Sequence, residues 1–199
     1  MVAKRRSETM EENRAKLIAA ARKAFADKGF AASSMDELTA SVGLTRGALY
    51  HNFGDKKGLL AAVVAQIDSE MAERAKADAS HASDDWERLL AEGVAYIRMA
   101  LDPEVRRIVL LDGPAFLGDP AQWPGQISCL DATRQTVEKM RERGVLKAVD
   151  ADAAAHMLNS AAMNAALWIA ASNEPEKALP KVIEVFTQLA GGLRNSDPH

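Results

Sequence analysis

Apolar residues recur at helical spacing along almost the whole chain. Leu17, Ala20, Ala21, Ala24 and Phe25 fall at i, i+3, i+4, i+7 and i+8 and make one stripe. They predict a first helix from about Met10 to Lys28, stopped by Gly29 as a C-cap. The stretch "SSMDELTASVG" predicts a short second helix. Ser34 and Glu37 form an S-x-x-E capping box, Leu38 and Val42 supply its buried side, and Gly43 ends it. Thr45 caps a third helix running to about Phe53. No alternating Val/Ile/Thr run is long enough for a strand, so the predicted class is all-α.

The periodicity continues through six more helices, about nine in all. The fourth is long, about Lys57 to Ala79, and is followed by the polar linker "SHASDD". The fifth runs from about Asp84 to Ala100, with Trp86, Leu89, Leu90, Gly93, Val94 and Ile97 at helical spacing. Pro103 suits the first turn of a sixth helix, 103 to about 111. Residues 112–126, "DGPAFLGDPAQWPGQ", carry three Pro and three Gly and are expected to form a loop or a broken helix. A seventh helix ends at about Arg143, an Ala-rich eighth spans about Ala151 to Ser172, and a ninth runs from about Pro175 to Arg194. The expected organisation is an N-terminal three-helix unit, residues 1–56, and a C-terminal helical bundle, residues 57–199, bridged by helix four.

Two short helices joined by a Gly-containing turn of about three residues form the helix-turn-helix pattern. Charge adds to this. Residues 1–60 hold 11 Lys+Arg against 7 Asp+Glu, while residues 61–199 hold 14 against 21, so a basic segment of +4 precedes an acidic remainder of −7. That asymmetry suggests two jobs in one chain. No run of 18 apolar residues indicates a membrane span. The basic start "MVAKRRSETMEENR" leads into no apolar stretch of the secretory type. Cys129 is the sole cysteine, which excludes an internal disulfide and fits a reducing cytoplasm. No zinc-spaced Cys/His cluster is present and no cofactor is implied.

The chemistry concentrates in "TRGALYHNFGDKKGLL", residues 45–60. A recognition helix presents its N-terminal side chains to base edges in a major groove, while donors on either flank meet phosphates. Arg46 stands where a bidentate contact to guanine is available. Gly47 removes a side chain where backbone and DNA come close. Tyr50, His51 and Asn52 offer hydroxyl, imidazole and amide donors. Lys56, just past the helix, can neutralise a phosphate. Leu49 and Phe53 face inward. Ser34 and Thr45, the two caps, complete the candidate DNA-binding set.

Residues 10–60 resemble the DNA-binding domain of the TetR family of bacterial transcriptional regulators. The resemblance rests on "AARKAFADKGF" and "SMDELTASVGLTRGALYHNFGDKKGLL", with Thr45, Gly47, Leu49, Tyr50, Phe53 and Lys56 at the family's positions. Thr39 replaces the usual small alanine. Asn52 replaces the histidine usual before the Phe, so a pH-linked contact is not expected there. The segment "VLLDGPAFLG" resembles one seen in some family members. The resemblance implies a repressor that binds a pseudo-palindromic double-stranded operator as a homodimer and is released by a small, mostly apolar effector. Met99, Phe116, Trp123, Met163 and Trp168, with Asn164 as a polar group, are the candidate pocket walls; they can equally be core filling. Helices eight and nine are the expected dimer interface, with Val182, Val185, Phe186 and Leu189 as one stripe.

Two other functions compete. An enzyme on a helical bundle would need a catalytic cluster, yet His51, His81, His156 and His199 are scattered, and Cys129 has no evident partner. A DNA-binding protein without a ligand would lack an effector pocket.

Overall fold

The computed structural model describes residues 2–195, with side chains from residue 8 onward. His199 and the rest of the C-terminal tail lie outside the described residues. The described chain is all helical, with no strand beyond one isolated bridge between Leu146 and Arg194. We label the helices α1 (Val2–Lys28), α2 (Met35–Ser41), α3 (Arg46–Phe53), α4 (Lys56–Asp78), α5 (Asp85–Arg98), α6 (Val105–Asp112 running on into Gly113–Leu117), α7 (Pro124–Glu142), α8 (Ala151–Ala171) and α9 (Pro175–Gly191).

α1, α2 and α3 pack around Leu17, Ala21, Phe25, Leu38 and Leu49, all buried. Thr39 takes a core position without penalty, because its hydroxyl donates to the carbonyls of Met35 (3.0 Å) and Asp36 (3.2 Å). α4 is the spine. Leu59, Leu60, Val63, Val64, Ile67 and Met71 are buried against α1 and α3 at one end and against α5, α6 and α7 further along. One continuous apolar cluster therefore runs from Leu17 to Phe186. A second cluster, around Trp86, Val137, Met140 and Leu146, closes the far end.

Three expectations from periodicity change. α6 continues to Leu117 instead of breaking at 112, and its first part is wound with wide π-type turns. Gly113 N–H bonds back to the Ile108 carbonyl, five residues away. A proline ring clashes with an α-helical carbonyl four residues before it, and wide turns just ahead of Pro114 offer a way round that conflict. The chain then turns at Gly118 (φ +87°), and α7 starts at Pro124. The stripe on α9 is two faces. Val182 and Phe186 are buried, whereas Val185 and Leu189 are 55% and 66% exposed. Phe186 reaches the core because Gly93 on α5 has no side chain: a Cβ there would lie 2.8 Å from the Phe186 ring. α9 ends at Gly191, and the chain after it pairs back on Val145–Lys147 through Lys147 N–H to Leu193 O (2.9 Å) and Asn195 N–H to Val145 O (3.0 Å).

Candidate nucleic-acid interface

The turn between α2 and α3 is held by backbone bonds from Gly43 N–H to Ala40 O (3.2 Å) and Leu44 N–H to Thr39 O (2.9 Å). Gly43 adopts φ +67°, which suits glycine and little else. Ser34 caps α2 by accepting from Glu37 N–H at 3.5 Å, and Thr45 caps α3 by accepting from Ala48 N–H at 3.2 Å. Both caps are used within the protein, so their hydroxyls set helix ends before they meet anything else.

Leu49 is fully buried and anchors α3, which leaves Arg46, Gly47, Tyr50 and His51 on the outer side. Arg46 is 53% exposed and pairs with Asp36 of α2 (Nε to Oδ1, 3.4 Å). An exposed pair of this kind contributes about 0–1 kcal/mol, so the guanidinium is easily exchanged to another acceptor. At Gly47 a Cβ would have only Thr45 Oγ1 nearby, at 3.6 Å. The protein itself does not demand glycine there, which is what a requirement imposed from outside looks like. Tyr50 is 45% exposed.

Two candidates are already engaged. The Asn52 amide donates to the Ala48 carbonyl (2.7 Å), leaving one N–H free. Lys56 is half-buried; its ammonium donates to the carbonyls of Phe30 (2.5 Å) and Ala31 (3.4 Å) and sits 4.5 Å from the Phe30 ring centre. Burial lowers its pKa from the ordinary lysine value. Lys57, the next residue, is exposed in the first turn of α4, although the motif's spacing does not mark it. Arg14 of α1 lies over the Phe53 ring at 4.9 Å, another link absent from the motif.

The six candidate pocket residues do not come together. Met99 is buried in the core behind α5. Phe116 packs on Phe30, ring centres 4.5 Å apart. Trp123 lies against Gly113 with its indole N–H buried and unpartnered. Met163 accepts from the Tyr96 hydroxyl (3.3 Å). Asn164 and Trp168 are exposed, Trp168 at 63%. The reason is the register of α8: Ala155, Ala162, Ala166 and Ala170 face the core, which turns positions 164 and 168 outward.

Sequence reasoning misses a polar group inside the C-terminal region. Asp68 of α4 is buried and accepts from the Gln126 side chain of α7 (2.7 Å). Burial raises its pKa, with Gln126 opposing. Burial and the Asp68 charge push the Tyr96 hydroxyl up as well. Desolvation also raises Glu92 on α5. The signal for Asp68 is its place on the same stripe as Leu60, Val64, Ile67 and Met71. Cys129, close by and surface-exposed, has its thiol pushed up by desolvation and by Asp68 and Glu92. Among the described residues, no three His, Cys, Asp or Glu side chains gather as a metal site, and no helix is long and apolar enough to cross a membrane.

Residues 17–63 match the family described as bacterial regulatory proteins, tetR family, and residues 86–193 match the tetracyclin repressor-like C-terminal domain. The HTH-type transcriptional repressor AcnR of Corynebacterium glutamicum is 34% identical over 61 residues, 31% of this chain and 32% of that protein. The HTH-type transcriptional regulator TtgR of Pseudomonas putida is 30% identical over 109 residues, 53% of this chain and 51% of that protein. The matches thus span about a third to a half of these curated relatives. Among solved structures, a TetR-family transcriptional regulator from Pectobacterium atrosepticum is 44% identical, with TM-score 0.85 over 96% of this chain and 98% of that one. SmeT of Stenotrophomonas maltophilia shares the fold at 22% identity and TM-score 0.68, covering 94% of this chain and 92% of that one.

Proposed function

Since the chain belongs to the TetR family of transcriptional regulators, we propose that it is a repressor that grips a pseudo-palindromic operator as a homodimer and releases it when a small molecule binds. DNA binding through the helix-turn-helix is the family's property. The repressing sign follows AcnR, which is similar through its helix-turn-helix portion. One observation carries the DNA-contact assignment: α3 turns Arg46, Tyr50 and His51 outward around Gly47, whose missing side chain nothing in the protein requires. Arg46 reads a base, Tyr50, His51 and Asn52 supplement it, and Ser34, Thr45 and Lys56 set the frame in which α3 sits. Lys57 serves as the phosphate contact at this end.

An uncovered set of apolar residues supports the dimer reading. Met157, Trp168, Val185 and Leu189 are large apolar residues left exposed on α8 and α9. Two such helices from each subunit make a four-helix interface about a two-fold axis. We therefore assign Trp168 and Asn164 to pairing. The effector site centres on Asp68, Tyr96, Gln126 and Met163, where Asp68 accepts from Gln126 (2.7 Å) and Met163 from the Tyr96 hydroxyl (3.3 Å). A carboxylate kept in an apolar interior at a cost to stability is a functional-site candidate. The proposed division of labour places DNA binding in residues 1–56 and pairing and sensing in 57–199.

The test is selection of bound duplexes from random double-stranded DNA by the full chain, followed by a small-molecule screen for release from the selected site. Inverted repeats bound by two chains support the reading. Binding without sequence preference contradicts it.

A further inference from the structure

We propose that the corner between α1 and α2 is a point at which α6 fixes the angle of the DNA-binding helices, with Asp112 as a positioning residue for operator half-site spacing; this rests on the dimeric DNA-binding reading above. α1 ends at Lys28, and Gly29 turns the chain at φ +80°. The next N–H, that of Phe30, finds no acceptor in its own helix. It donates instead to Asp112, at the junction of the two halves of α6, at 2.7 Å. Arg107 closes from the other side. Its Nε lies 3.5 Å from the same Asp112 oxygen, and its guanidinium lies so close over Gly29 that a Cβ there would fall 1.9 Å from it. The Phe30 ring packs on Phe116 of α6, centres 4.5 Å apart. The Phe30 carbonyl belongs to α4, through Lys56 at 2.5 Å. One residue is thus held by α6 through its N–H and ring and by α4 through its carbonyl.

A three-helix unit joined to a bundle through α4 alone could pivot about that helix's axis. Attachments of α1 to the bundle remove the pivot: Arg22, bonded to Glu104 (2.7 Å) and to Glu70 (2.7 and 2.8 Å), and the Asp112 corner further along α6. In a dimer, a pivot of each unit changes the distance and angle between the two α3 helices, although each α3 still meets its own half-site normally. Asp112 also ends the wide-turned stretch Val105–Asp112. Rewinding by one residue as an ordinary α-helix would swing the downstream half of α6 by about 100° and take Asp112 off Phe30.

The experiment uses the full chain and duplexes carrying two copies of the selected half-site, inverted, with the spacer varied one base pair at a time. Binding is read by fluorescence anisotropy and folding by helical circular dichroism. The wild type should show a sharp spacing optimum, losing roughly tenfold or more per base pair of displacement because both half-sites are no longer engaged together. Asp112→Ala should flatten that optimum to less than about threefold per base pair while keeping the same half-site sequence preference. Asp112→Asn, which retains an acceptor for the Phe30 N–H, should restore most of the sharpness. A merely structural role would lower affinity or melting temperature without touching spacing. If Asp112→Ala does not fold, Arg107→Ala, which removes an exposed clamp from the same corner, carries the test with the same expected flattening. A sharp optimum retained in the folded variants overturns the proposal alone. A wild type with no spacing optimum overturns the dimeric reading and the proposal with it.

Discussion

Along α3 the outward side chains are Arg46, Tyr50 and His51; along α8 and α9, among polar neighbours such as His156, Asn164, Glu184 and Gln188, the large apolar residues Met157, Trp168, Val185 and Leu189 are left exposed. The first set is made of hydrogen-bonding groups on a helix of eight residues. The second is made of large apolar side chains on helices of 21 and 17 residues. Both sets are exposed and the chemistry is opposite. A polar face loses little in water and gains when charged and hydrogen-bonding partners arrive, so it suits a reversible, salt-sensitive contact with DNA. An apolar face gains only by leaving water, at about 25 cal/mol per Å² of apolar surface, so it suits a lasting contact. A regulator that must let go of its operator while staying assembled needs one face of each kind.

The contrast breaks most visibly on the apolar side. Leu189→Arg places a charge in the proposed dry interface. It should cost several kcal/mol of association and shift the protein to monomer at micromolar concentration, with loss of high-affinity operator binding. Sedimentation equilibrium checks this; an unchanged dimer would remove α9 from the interface. Lys56→Ala comes next. It deletes a charged hydrogen bond to the Phe30 carbonyl and should cost about 1.5–3 kcal/mol of stability. Urea unfolding should show the loss, and weaker DNA binding alone, with stability intact, would make Lys56 a phosphate contact after all. Arg46→Ala should relax base preference at one position by about 1–3 kcal/mol. Its stability should hardly move, since the pair with Asp36 is exposed on both sides.

The smallest effect concerns pH. Asp68 has a raised carboxyl pKa in the folded protein because burial disfavours its charge. The folded state therefore binds that proton more tightly than the unfolded state, and stability from this group is present below the unfolded pKa and lost as pH rises through the folded one. Asp68→Asn, which can still accept from Gln126, should be more stable than the wild type at neutral pH. The difference should close as pH falls through the carboxylate range. Thermal melts at neutral and acid pH measure it; a variant less stable at neutral pH would mean that the charge is compensated.

What the sequence discloses differs between the two faces for a physical reason. A helix-turn-helix needs particular residues at fixed intervals, so Ser34, Gly43, Thr45, Gly47 and Leu49 announce their places by identity and spacing. The helical bundle needs only apolar residues at helical period. Periodicity finds α8 and α9 but cannot say that Val182 and Phe186 face inward while Val185 and Leu189 face out, because all four fit one broad stripe. It places Trp168 among pocket walls because bulk alone does not reveal direction. Gly113 and Pro114 signal an end to α6, yet wide turns carry the helix on. Lys56 matches the motif, but its bonds to Phe30 and Ala31 depend on a corner 25 residues away that spacing cannot show.

Two chains paired through α8 and α9 should present two α3 helices to one duplex. The direct measurement is analytical ultracentrifugation of the full chain with its selected operator and with a single half-site, beside the Leu189→Arg variant. The expected result is two chains per operator, with half-site centres about 34–36 Å apart or a multiple of that, and a variant that sediments as monomer and binds the operator no better than the half-site. One chain per operator at saturation, or a Leu189→Arg variant that still binds as a pair, would contradict it.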